Sequence, residues 1–131
     1  MGYGFSRKVD LEFTEAVENV KAALKKEGFG VLTEINVKET LKKKLDVDYD
    51  NYLILGACNP PLAHKALESE KNIGLLLPCN VIVYSQNGET IVSAVNPMEA
   101  MSMVKNEKLQ CVAKEVSEKL KRVVDNLGGK K

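Results

Sequence analysis

Aromatic residues are scarce in this chain, at 5% of the sequence with no tryptophan, and arginine occurs only at Arg7 and Arg122. So few rings cannot build the stacking or intercalating surface by which proteins grip nucleic-acid bases. An excess of one charge is missing too, since 19 basic against 18 acidic residues leave a net charge of +1. The strongly basic face or tail of a duplex-binding protein is absent, and no nucleic-acid partner is expected. No stretch approaches the ~18 uninterrupted apolar residues of a membrane helix. The N-terminal Met-Gly-Tyr-Gly-Phe-Ser-Arg-Lys lacks the apolar core and small-residue cleavage site of a secretory signal. Gly2 and Ser6 match the myristoylation pattern in form, but the same segment reads more simply as a first strand over 3–9. No membrane partner is expected. The three cysteines, Cys58, Cys79 and Cys111, are sparse and odd in number, unlike the dense even frameworks of small secreted domains. Free thiols in a reducing, cytoplasmic setting are the expectation.

What is present suits one soluble domain. The chain has 131 residues, 44% hydrophobic and 28% charged, enough to bury a core without a disulfide or metal staple. There are no repeats and no linker, so residues 1–127 read as a single domain and 128–131 as a disordered tail. Phe13, Ala16, Val17, Val20, Ala23 and Leu24 recur at helical spacing, with acidic residues at the start, Lys25 and Lys26 at the end and Gly28 beyond. Alternation from Phe29 to Val37 reads as a strand, and the lysine-rich residues 41–45 as a short surface helix. Apolar runs over 52–58, 79–84 and 90–95 read as strands. The last two are joined by Asn87-Gly88, a dipeptide whose residues tolerate the positive φ of a hairpin turn. Leu109, Val112, Ala113, Val116, Leu120, Val123, Val124 and Leu127 form one stripe of a long terminal helix. The pattern is that of an α+β fold, a mainly antiparallel sheet with helices packed on one face.

Asn59-Pro60 and Asn96-Pro97 each follow a strand and precede a helical pattern, as an N-cap followed by proline at the first helical position. If 52–58, 79–84 and 90–95 form an up-and-down meander, Cys58, Asn59, Cys79, Asn80, Asn96 and two helix N-termini gather at one edge of the sheet. His64, one turn into the helix that starts at Pro60, would lean over them. A thiol before a helix N-terminus feels the dipole and nearby amides, both of which favour thiolate, and an imidazole beside it can act as base or acid. At least one of Cys58 and Cys79 is thus expected to be more acidic than a free thiol. With Met98, Met101 and Met103 the cluster is also a soft-metal set, yet Cys58-x5-His64-x14-Cys79 matches no zinc spacing. Converging helix N-termini alone would make an anion pocket. Plainer roles stand beside each of these: Cys58 and Cys79 as small core residues, Cys111 as a structural neighbour of the long helix's stripe, His64 and Lys42-Lys43-Lys44 as solvated side chains, and the methionines as filler.

The string from Leu55 through Cys58-Asn59-Pro60-Pro61-Leu62-Ala63-His64 to Glu68, with Gly74-Leu75-Leu76-Leu77-Pro78-Cys79-Asn80-Val81, resembles the domain-of-unknown-function 302 family. Gly28 to Ile35 and Asn96-Pro97-Met98 extend the resemblance over nearly the whole chain. It implies a fold like one repeat of the TATA-box-binding protein, with the order strand, helix, four strands, helix. It also implies a cytoplasmic homodimer, and no settled activity. A fold does not carry a function, so this adds no nucleic-acid reading. Three functions remain open. One is a binding module whose pocket near Cys58, His64 and Cys79 holds a small anion, a thiol-reactive molecule or a soft metal. Another is a thiol-dependent enzyme using Cys58 or Cys79 with His64. The third is a dimeric interaction protein with no small ligand. No acidic pair, phosphate loop or triad is legible, so no catalytic residue, resident metal or cofactor is assigned.

Overall fold

The computed structural model describes residues 2–128. Five strands, β1 (Gly4–Val9), β2 (Gly30–Asn36), β3 (Tyr52–Cys58), β4 (Cys79–Gln86) and β5 (Glu89–Val95), form one sheet in the order β1-β5-β4-β3-β2. Every neighbouring pair is antiparallel. The α+β architecture, its strand order along the chain and the β3-β4-β5 meander are those expected. The β4–β5 hairpin turns on Asn87 and Gly88 at φ 53° and 80°, the left-handed conformations their side chains tolerate.

Helices α1 (Phe13–Lys26) and α5 (Glu107–Asp125) pack on one face of the sheet. In α1, Ala16, Val17, Val20, Ala23 and Leu24 are buried, and the Glu12 amide donates to Glu15 Oε1 at 3.3 Å. In α5, Leu109, Ala113, Val116, Leu120, Val123 and Val124 are buried, and Asn106 Oδ1 accepts from the Leu109 amide at 3.0 Å. Burial of the α1 stripe and of Val116, Leu120, Val123 and Val124 of α5 against Leu55, Ala57, Val81, Val83, Val92 and Ala94 of the sheet makes the main core, and removal of that apolar surface from water is the dominant stabilising term.

Three shorter helices complete the chain: α2 (Val37–Leu45), α3 (Pro60–Ser69) and α4 (Pro97–Ala100). Helix α2 begins earlier than its lysine run suggests, because Asn36 Oδ1 accepts from the Glu39 amide and ends β2 at that point. A two-turn 3-10 segment, Lys71–Leu76, leads from α3 into β4. Here a second, smaller core of Ala66, Ile73, Met101, Leu109 and Ala113 forms beside the main one. Of the expected tail, Gly128 donates its amide to Asn19 Oδ1 at 2.7 Å and is tied to α1. Residues 129–131 lie outside the described residues.

Strand alternation puts a different set of side chains on the face away from α1 and α5. Tyr52 lies opposite Tyr84 and Ile54 opposite Ile82, with Ile35 beside Ile54 and Ile91 beside Tyr84. The Tyr52 and Tyr84 rings stack with centroids 5.3 Å apart. These side chains remain half-buried or exposed.

Candidate functional site

The meander brings the end of β3, the start of β4 and the end of β5 to one end of the sheet, where α3 and α4 leave it. At that end lies a cavity of about 350 Å³. Its origin is a convergence of small residues. Ala57 and Cys79 are register partners facing the helices, and Ala63 and Ala66 of α3 and Ala113 of α5 meet them. Larger side chains at those positions would fill the space, as they do elsewhere in the sheet. The void sits on the seam between the two cores, since Ala57, Leu62 and Cys79 belong to the main one and Ala66, Met101 and Leu109 to the smaller.

The mouth is shaped by an irregularity in β2. Register shifts between Val31 and Thr33, a bulge of the kind that re-aims a side chain. Leu32 lines the cavity while 68% exposed, and Thr33 lies next to it. Gly56 is needed below, because a Cβ there would overlap Thr33 Oγ1 and come within 2.8 Å of Pro78 Cγ. The lining is almost wholly apolar, with Phe29 its one ring and Thr33, Asn59, Cys58 and Cys79 its few polar or thiol-bearing residues.

The two thiols differ. Cys79 is 8% exposed, and burial, helped by the nearby Cys58, pushes its pKa up to about 11. An apolar surrounding disfavours the charged thiolate, so Cys79 moves opposite to the acidity that a helix-terminus site would confer. Cys58 is half-buried and lines the same cavity.

His64 does not join them. It lies on the outer side of α3 with its side chain 77% exposed, 3.9 Å from Glu68 Oε2. Helical phase explains this: at 3.6 residues per turn, two positions from buried Leu62 is a rotation of roughly 200°. The same reasoning places Cys111 outward, two positions from buried Leu109. Cys111 is exposed, not packed in the stripe. The phase was readable in the sequence, where the expected proximity of His64 ran against it.

The asparagines are occupied with structure. Asn59 Oδ1 accepts from the Leu62 amide at 3.4 Å and its Nδ2 donates to the Glu27 carbonyl at 3.2 Å, tying α3 to the end of α1. Asn96 Oδ1 accepts from the Met98 amide at 3.1 Å and from Ser117 Oγ at 2.8 Å. Pro60 and Pro61 have no N–H, and the Ala63 amide goes to the Asn59 carbonyl. The start of α3 thus has no free amide for an anion, and that of α4 spends its Met98, Glu99 and Ala100 amides on Asn96. The expected anion pocket is corrected to an apolar one. Asn80 is exposed beside a smaller hollow with Leu75 and Leu76, and Met98 packs against the smaller core. Among the described residues, no three His, Cys, Asp or Glu side chains converge as metal ligands. Met101, one of the methionines of the expected soft-metal set, lines the cavity, and so do Leu32, Thr33 and the first half of α5, which the sequence did not mark as site residues.

The family model described as domain of unknown function DUF302 matches residues 5–127. A crystal structure of an uncharacterized conserved DUF302 protein from Bacillus stearothermophilus superposes with a TM-score of 0.88 at 31% identity, over 94% of this chain and 96% of that one. No curated protein matches the chain.

Proposed function

This chain belongs to the DUF302 family, and from that premise we propose that it is a binding module whose cavity takes one small, uncharged, mainly apolar molecule. One observation carries the reading: a cavity of about 350 Å³, lined by side chains from three strands and three helices, stands at the end of the sheet. Such a size lies at the lower end of the ~300–1,000 Å³ typical of ligand pockets, and a few polar groups in an aliphatic wall are the usual composition. A thiol-dependent enzyme finds less support, because His64 points away and burial holds Cys79 protonated.

The test uses N-phenyl-1-naphthylamine, a neutral apolar fluorophore. It should bind one per chain with enhanced emission and raise the melting temperature by mass action. Ala63→Phe, which fills the cavity from α3, should abolish both effects. Equal emission with the wild type and a folded Ala63→Phe would overturn the reading.

The same module is proposed to be a homodimer of the cytoplasm. The apolar patch of Tyr52, Ile54, Ile82, Tyr84 and Ile91 on the far face of the sheet supports self-association, with a second copy as its occupant in a two-fold contact. Exposed Cys111 suits a reducing compartment. No helix among the described residues is long and apolar enough to cross a membrane.

A further inference from the structure

A second hollow, of about 250 Å³, adjoins the cavity where the 3-10 segment, the start of β4 and α4 meet. Leu77, Pro78, Cys79, Pro97 and Met101 line both spaces, so these five residues are the partition between them. Beyond it the second hollow is walled by Leu76, Val95 and Ala100 and opens beside Leu75, which is 86% exposed. Among the described residues, no charged side chain lines either space. The partition has one adaptable member. Two of its residues are proline rings, Leu77 is branched, and Cys79 is short and held in the β4 ladder opposite Ala57. Met101 is unbranched, with three rotatable bonds and a thioether that fills irregular gaps. Its side chain is buried, yet its main chain is pinned. The Met101 amide donates to the Pro97 carbonyl at 2.8 Å, and its carbonyl accepts from Gln110 Nε2 at 3.1 Å. The backbone can therefore stay in place while the thioether changes rotamer.

Resting on the binding reading above, we propose that the ligand is an unbranched, uncharged hydrocarbon chain, threaded past Met101 so that it fills the inner cavity and the second hollow together. A swing of the Met101 side chain joins spaces of about 350 and 250 Å³ into one run. The passage it leaves is one side chain wide, bounded by Leu77, Pro78, Cys79 and Pro97. A file of methylenes passes such a gap, whereas a fused ring or a branched skeleton is stopped by the proline rings. Walls without a charged side chain would leave a carboxylate or an amine unpaired and desolvated, which excludes charged chains. Every methylene taken from water beyond the partition adds to affinity, so the second hollow sets the preferred chain length and Met101 sets the preferred shape.

The experiment measures displacement of N-phenyl-1-naphthylamine from the full chain by primary alcohols from 1-hexanol to 1-tetradecanol. Each added methylene should tighten binding roughly four-fold until the accessible space is full. Ala100→Phe plugs the second hollow from a half-buried position that does not line the inner cavity. It should leave 1-hexanol unchanged, end the rise about two carbons earlier and weaken 1-tetradecanol by roughly ten-fold or more. Met101→Leu keeps the volume of the partition but stiffens it; it should act in the same direction and serves if Ala100→Phe does not fold. The compact 1-adamantanol, too broad for the passage, should bind the wild type and both variants alike. A folded Ala100→Phe whose chain-length profile coincides with the wild type overturns the inference, as does a coinciding Met101→Leu profile if only that variant folds. Equal weakening of 1-adamantanol and 1-tetradecanol overturns it as well. If the fluorophore binds but no alcohol displaces it, threading fails and the binding reading stands. If the fluorophore does not bind, both fail.

Discussion

Cys79 lies opposite Ala57 across the β3–β4 ladder, and both side chains are buried on the helix-facing side of the sheet. Two small residues meet where every other inward pair of these strands is larger, as with Leu55 and Val81 or Leu53 and Val83. The cavity begins at this pair, and so does the raised pKa of the thiol.

That pKa has a consequence for stability. Burial lifts Cys79 from an ordinary 9.0 to about 11, so the folded chain holds its thiol proton to higher pH than the unfolded chain does. The contribution is complete below pH 9 and is lost as pH rises through 11, by at most about 3 kcal/mol. Urea unfolding of wild type and Cys79→Ala at intervals from pH 8 to 11 measures it. The wild type should lose stability more steeply, because titration of the lysines and tyrosines cancels in the difference. Parallel curves would refute it.

Asn59 joins two helices through one side chain. Asn59→Ala removes both the cap on Leu62 and the bond to Glu27, and should lower stability by about 1–2 kcal/mol. An unchanged urea midpoint would show that neither bond contributes.

Gly56 is the position where space itself is used. Gly56→Ala drives a methyl into Thr33 and against Pro78, and should destabilise by about 1–3 kcal/mol. Thr33→Ala in the same chain should recover part of the loss, a coupling that a double-mutant cycle reads directly. Additive losses would place the strain elsewhere.

The proposed dimer is tested on the far face of the sheet. Sedimentation at micromolar concentration should give twice the 14.4 kDa chain mass, and Ile82→Asp should give the single chain with unchanged circular dichroism. A wild-type species of only 14.4 kDa refutes the assembly.

Much of the fold was determined by the sequence alone, because its signals are local. Asn87-Gly88 tolerates positive φ whatever surrounds it, Asn59-Pro60 and Asn96-Pro97 cap helices with their own atoms, and the apolar periods of α1 and α5 declare which face is buried. The meander followed from these, since short connections make neighbouring strands antiparallel. The outward direction of His64 was legible as well, in the phase that puts Leu62 and Ala66 inward. The cavity was decided by tertiary structure only. An alanine on α3, another on α5 and a cysteine on β4 carry no local sign of a void, because a void is a property of what fails to meet. The bulge at Leu32 and the burial that raises the Cys79 pKa are of the same kind. Both arise only when β2, β3, β4 and the helices, distant in sequence, close on one another.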